Sequence, residues 1–325
     1  MILFRRLLVR AVTVFVILTI AFALLEALPG DPSEMMEDPS IRPEDRQANR
    51  RALALDLPAH KRYVSMIAHA LRGDFGVSTS QQRPVAAVLR EAVPPTLWLM
   101  GSALLIAFAL GLFLGTRAAE YPRGFSAFVV RHLLPAFDAL PAFWVALCVI
   151  LIFSWKLGWL PSSGISASTG SALWGGTWWS DRLLHALMPV LVLAIPGCAP
   201  IARHHWTAMR TELRAPHVRT ARALGLSETR VVWCRAGRVA LQPALAQLGT
   251  AMPLLLGGAV VIEVIFSWPG LGRVHQRALL AHDVPLSLGG LVLIGILVVL
   301  GSLLADLAAA WADPRLRSER VRPSR

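Results

Sequence analysis

Residues 96–116 read TLWLMGSALLIAFALGLFLGT, twenty-one consecutive positions without a charge. A bilayer core needs roughly 20 apolar residues of helix to cross it, so this stretch is long enough to span. Its Gly111-x-x-x-Gly115 spacing puts two small residues on one helix face, where a second helix can approach closely. Working outward, five more apolar runs appear, at residues 11–30, 133–155, 183–206, 239–265 and 284–310. The expected fold class is therefore an all-α integral membrane protein with six transmembrane helices. Composition agrees, because 55% of the 325 residues are hydrophobic and 16% charged, against about a quarter charged in soluble domains. The first run follows Arg5, Arg6 and Arg10 as a signal peptide's would. Its Ala21-Phe22-Ala23 lies inside the apolar run instead of after it, so a span is expected there. Cys148, Cys198 and Cys234 are far apart and have no metal-ligand spacing, so neither a disulfide framework nor a zinc site is expected.

A formal net charge of +12 suggests nucleic acid until the charges are placed. Residues 1–10 hold three basic residues, 117–132 three, 203–238 eight and 311–325 five, accompanied by only five acids. These segments lie at alternate ends of the spans. On the other side, residues 31–91 hold nine basic and nine acidic residues, which cancel. The positive-inside rule then places 1–10, 117–132, 207–238 and 311–325 in the cytoplasm, and 31–95, 156–182 and 266–283 outside. The charge is a topology signal. Membrane lipid is the expected partner and nucleic acid is not. Within 31–95, Pro43 opens an amphipathic stretch to Leu55, and Pro58 opens another to Arg72 before Gly73, the proline-in, glycine-out pattern of helices over the outer mouth.

Catalytic signatures are missing. No GxxxxGK[ST], HExxH or GxSxG occurs, so the chain is not expected to be an enzyme. His204-His205-Trp206 looks like a ligand pair, but adjacent helical residues point about 100° apart, and an interfacial cluster is the better reading. Glu26, Asp138, Glu263 and Asp306 lie in or at the ends of apolar runs without Lys or Arg, so each must face protein or water, or be protonated. Asp138 precedes Pro141, where a kink is expected to hydrate it. Glu263 stands just before the Trp268-Pro269-Gly270 turn. It either pins that turn or, with Trp268 and Asp138, belongs to the translocation pathway or its external gate.

The loop between the fourth and fifth runs is the most informative. Pro216 supplies a pre-set first helical position and Gly225 a residue that accepts φ > 0, which bounds a helix of about nine residues. At about 1.5 Å per residue it is too short to cross anything. Arg219 and Arg222 share one face, Val218 and Ala221 a neighbouring one, and Ser227-Glu228 starts a second helix feeding the fifth span. Two readings stay open on these residues alone: a helix displayed in order to be pushed, or a loop held in the headgroup region by its arginines.

Residues 217–231, HVRTARALGLSETRV, resemble the EAA-type coupling loop of ABC importer permeases in the dipeptide/oligopeptide family, where YVRTARAKGLSERRV is typical. Other family-like stretches fall in order along nearly the whole chain: Pro29-Gly30-Asp31-Pro32, Arg72-Gly73-Asp74-Phe75-Gly76, Leu157-Gly158-Trp159-Leu160-Pro161 with Ser163-Gly164, Glu263 with Phe266-Ser267-Trp268-Pro269-Gly270-Leu271-Gly272, and Asp313-Pro314-Arg315. The resemblance implies a type I ABC importer permease with a cytoplasmic coupling helix and a helical external loop. It assigns ATPase coupling to His217, Val218, Arg219, Thr220, Ala221, Arg222, Gly225, Leu226 and Ser227. It also implies a second homologous permease subunit, two ATP-binding subunits and an external substrate-binding protein in a bacterial inner membrane. ATP and Mg would be bound by the partner ATPase subunits, with no cofactor on this chain. The substrate implied is a di- or oligopeptide, although relatives also carry nickel complexes and oligosaccharides. The sequence departs from the family at His217 for tyrosine and Leu224 for lysine. It departs again in Cys234–Pro243, where Gly237 and Gln242 are the odd choices. A self-sufficient secondary transporter or channel is the rival reading. It explains the charge map and the membrane carboxylates, but not the ordered motifs, and no inverted repeat is evident.

Overall fold

The computed structural model describes residues 73–166, 178–281 and 283–312, with isolated positions between 12 and 68. The expectations for Glu26, for the external helices between 43 and 72 and for the tail beyond 312 lie outside the described residues, as does most of 11–30. The helices, in chain order, are α1 (Val85–Glu120), α2 (Phe125–Asp138), α3 (Ala142–Lys156), α4 (Trp178–Glu212), α5 (Pro216–Ala223), α6 (Gly237–Ile265), α7 (Leu271–Leu280) and α8 (Val284–Ala312). A short lead-in, Glu228–Arg230 followed by a π-helical stretch Val231–Ala236, precedes α6. The β structure among the described residues is one isolated antiparallel bridge, Val77 with Pro84.

Helices α1, α4 and α8 are each long and apolar enough to cross a membrane, and α2 with α3 adds a fourth if the pair is one span. That pair is bent by 99°, so residues 133–155 do not form the straight helix that their apolar run suggests. Proline explains the break. Pro141 has no N–H to donate, and its ring disfavours helical backbone at Leu140. Asp138 closes α2 at this elbow and is exposed.

The chain divides into two compact units, residues 1–96 with 269–299 and residues 97–268 with 300–325. In the first, Val85, Val88, Leu89 and Ala92 recur at helical spacing along the start of α1 and bury against Leu271 and Ala278 of α7 and Leu286 of α8. The Leu271 N–H, one of the unsatisfied donors at the start of α7, donates to Thr96 Oγ1 at 2.7 Å.

In the second unit, α4 packs against α2, α3 and α6. Lipid tails are as apolar as leucine, so helix association here rests on close packing and hydrogen bonds between helices. Gly111 and Gly115 supply the packing: a Cβ on Gly111 would lie 2.7 Å from Ile201 Cγ2, and one on Gly115 would lie 2.8 Å from the Ala202 carbonyl oxygen. His205 supplies the hydrogen bonds. Its Nδ1 is 3.0 Å from the Ala240 carbonyl, which can only accept, so Nδ1 carries the proton. Nε2 is then the acceptor for Thr116 Oγ1 at 2.9 Å. One buried imidazole thereby ties α1, α4 and α6 together. His204 beside it is exposed, so the two rings diverge as adjacent helical positions should.

Candidate functional site

The site begins where α4 ends. Backbone bonds from Leu213 to Met209 (2.9 Å), Arg214 to Thr211 (3.2 Å) and Ala215 to Glu212 (3.0 Å) wind down the last turn. Ala215 is extended, and Pro216 then opens α5 at its first position. The helix closes in a Schellman motif. Gly225 has φ +75°, its N–H donates to Arg222 O at 2.9 Å, and the Leu226 N–H reaches back to Ala221 O at 3.3 Å. Both ends of α5 are thus set by the residues that its sequence places there.

Its faces are equally distinct. Val218 and Ala221 are buried in a cluster with Ala119 from the end of α1, Met209 from α4, Val231, Val232 and Ala236 from the lead-in, and Ala240 of α6. Trp206, Leu213 and Leu226 pack against it. His217, Arg219, Thr220, Ala223 and Leu224 are exposed on the other side.

Arg222 is exposed like Arg219, and its guanidinium reaches along the chain to Glu228. Its Nη2 and Nε donate to Glu228 Oε1 and Oε2 at 2.6 and 3.1 Å, and its Nη1 reaches Leu213 O at 3.4 Å. This hydrogen-bonded guanidinium holds the Glu228 carboxyl below its usual range. An exposed ion pair contributes only about 0.2–1 kcal/mol, so the effect of the pair is positional: it fixes the end of α5 to the start of the helix that follows. Glu212 is similarly placed, 3.6 Å from His217 Nε2. Ser227 opens the lead-in through its carbonyl, which accepts from the Val231 N–H at 3.0 Å. Gly237, a departure from the family pattern, follows the π-helical stretch, where a Cβ would stand 3.2 Å from Val232 O.

A second cluster lies at the opposite end of α6. Glu263 and Trp268 are both fully buried, and the Trp268 N–H donates to Glu263 O at 2.8 Å while the Ser267 N–H donates to Val264 O at 3.2 Å. This repeats the α5 ending with Ser267, at φ +51°, in the glycine position. Trp98 packs against Trp268 at a ring-centroid distance of 5.3 Å. The Gly164 N–H donates to Phe266 O at 2.8 Å, which joins the Ser163-Gly164 motif to the Phe266–Gly270 motif. Two stretches a hundred residues apart in sequence thus meet. Asp138, grouped with Glu263 and Trp268 by sequence, belongs to the exposed α2–α3 elbow.

The first unit contains a group that the sequence reading passed over. Asp283 Oδ2 accepts from the Ser78 hydroxyl (2.5 Å), the Ser80 hydroxyl (2.7 Å) and the Ser80 N–H (2.9 Å), while Oδ1 caps the Leu286 N–H of α8 at 3.1 Å. Burial opposes its ionisation, but these four donors outweigh burial and hold the carboxyl below its usual range. The available signal was an aspartate directly before an apolar run, which is an N-cap pattern.

Similarity to known proteins extends over nearly the whole chain. Residues 107–318 match the model of the binding-protein-dependent transport system inner membrane component, and residues 1–100 match that family's N-terminal membrane component. The chain is 36% identical to the di/tripeptide transport system permease protein DppB of Pseudomonas aeruginosa, over 97% of this chain and 98% of the relative. It is 32% identical to the oligopeptide transport system permease protein AppB of Bacillus subtilis, over 91% and 93%. With the glutathione transport system permease protein GsiC of Escherichia coli it shares 31%, over 96% and 97%. Such coverage sets aside the rival reading of a self-sufficient secondary transporter or channel. The chain belongs to the family of inner membrane components of binding-protein-dependent transport systems.

Proposed function

We propose that this chain forms half of the translocation pathway of an ATP-driven importer of di- or oligopeptides. The other half is a second, homologous permease subunit. Two ATP-binding subunits carry ATP and Mg, and an external binding protein delivers the peptide. The peptide substrate rests on the names of the three relatives given above, which are permeases for oligopeptides, di/tripeptides and glutathione. Six spans are proposed, 11–30, 96–116, 133–155, 183–206, 239–265 and 284–310, with both termini in the cytoplasm.

One observation carries the mechanism. The α5 helix is capped at its C-terminal end by Gly225 and seated through Val218 and Ala221 on the ends of α1 and α4 and on the lead-in to α6. A force on α5 has no slack to absorb it and displaces those helix ends together. Closure of the ATP-binding subunits would supply that force and open the pathway alternately to each side. Glu263 and Trp268 belong to the outer end of that pathway, where released peptide enters.

Reconstitution tests this. Liposomes containing both permeases and the ATP-binding subunits, with peptide-loaded binding protein outside the cytoplasmic face, should take up labelled dipeptide only with ATP. The chain alone should hydrolyse none. Hydrolysis by the isolated chain, or uptake driven by an ion gradient without ATP-binding subunits, would refute the assignment.

A further inference from the structure

Two arginines from different helices converge on one indole. Arg131 belongs to a π-helical turn of α2, Val129–Leu133, and its Cζ stands 5.0 Å from the centroid of the Trp206 ring. Arg210, one turn beyond Trp206 on α4, stands 5.4 Å from the same centroid. A guanidinium is attracted to the face of an indole, so Trp206 holds both, with their Cζ atoms within about 10 Å of each other. Both arginines are exposed and keep free donors. Arg131 Nη2 donates to the Pro122 carbonyl at 3.2 Å, and among the described residues neither arginine has a carboxylate within ion-pair distance. The acids of 117–132 and 207–238 are Glu120, Glu212 and Glu228, and Arg117, His217 and Arg222 engage them. The Trp206 indole N–H is buried and also has no acceptor among the described residues.

Position gives the class of the missing counter-charge. Arg131 lies just before the apolar run that begins at 133, and Arg210 about one turn after the run that ends at 206. Both therefore fall at the headgroup level of one membrane face, the cytoplasmic one by the charge map. Phe125 and Phe128, one turn apart on α2, add exposed apolar surface on the same helix. We propose that Arg131 and Arg210 clamp the phosphate of an anionic phospholipid in the cytoplasmic leaflet, with Trp206 as the platform that fixes the pair. The planar arginine fork matches phosphate oxygens and is weakly hydrated, which suits a site at the edge of the bilayer. Trp206 packs against the cluster that seats α5, so the bound lipid borders the seat of that helix. The inference depends on both helix ends lying at one membrane face, not on which solute is carried.

The test is a lipid titration of the purified full-length chain in neutral detergent, with bound lipid counted on the intact protein by native mass spectrometry. Phosphatidylglycerol should bind at least about fivefold better than phosphatidylcholine and should raise the melting temperature. Arg131→Gln with Arg210→Gln should weaken phosphatidylglycerol binding about tenfold, the combined effect of two basic residues at an anionic surface. Arg123→Gln with Arg203→Gln removes the same charge from two other exposed arginines and should leave binding within about twofold. Lipid is counted only on protein that stays folded, which keeps a folding defect out of the comparison. Equal losses in the two double variants would show diffuse attraction to the surface and overturn the site. Equal stabilisation by inorganic phosphate alone would assign the arginines to a soluble anion and overturn the lipid.

Discussion

Gly225 and Ser267 occupy the same backbone position in two helix endings, with φ of +75° and +51°. At Gly225 a β-branched side chain cannot follow. Gly225→Val should destabilise the loop by about 1–2 kcal/mol through strain at positive φ, whereas Gly225→Asn should lose less, because asparagine tolerates that region. A lower melting temperature for the valine variant, with poorer ATP-driven uptake, is the expected result. Asp283 makes a pH-dependent prediction. Its folded carboxyl lies below its ordinary value, so the unfolded chain binds the proton more readily. The stabilisation is therefore complete above the ordinary aspartate range and disappears as the pH falls through the lower, folded value. Asp283→Asn should reduce stability by about 2 kcal/mol at neutral pH, the scale of hydrogen bonds to a charged group. It should also flatten the acid side of a melting-temperature profile, and an unchanged profile would show that Ser78 and Ser80 do not depend on the charge.

At the scale of elements, the contact of α1 with α4 separates two glycines that sequence treats alike. A Cβ at Gly111 would meet Cγ2 and Cβ of the buried Ile201 at 2.7 and 3.0 Å, whereas one at Gly115 would meet the backbone oxygen of Ala202 at 2.8 Å. The branch methyl of a β-branched residue in a helix has one strongly preferred rotamer and cannot swing aside, and backbone yields less still. Gly111→Ala and Gly115→Ala should both be destabilising, in the range of about 1–3 kcal/mol for overpacking, with Gly115→Ala the more harmful. Melting of the two variants side by side checks the order. Gly115 also lies 3.1 Å, measured from such a Cβ, from the His205 ring, so its substitution disturbs the imidazole that ties α1, α4 and α6.

At the scale of the whole molecule, orientation is the open quantity, and labelling determines it. In a background without Cys148, Cys198 and Cys234, an impermeant thiol reagent applied to intact cells should modify Gln81→Cys and miss Thr229→Cys, both exposed positions. Reaction at Thr229→Cys would reverse the charge map. The helical membrane class was legible in the residues alone, because apolar runs of about 20 residues admit few other structures. So were the bounds of α5, because proline and glycine act on the backbone locally. The Gly111–Gly115 approach was legible for the same reason. What the chain folds against decided the rest. The apolar run 133–155 hid a 99° elbow, since hydropathy counts apolar residues and not their direction. Arg222 is paired with Glu228, six positions on, which only the turn at Gly225 brings within hydrogen-bonding distance. Asp283 is 205 residues from Ser78, and no local pattern joins them. Composition and spacing record what each segment can do alone, whereas the partner of a buried polar group is chosen by tertiary packing, which must satisfy it wherever the chain returns.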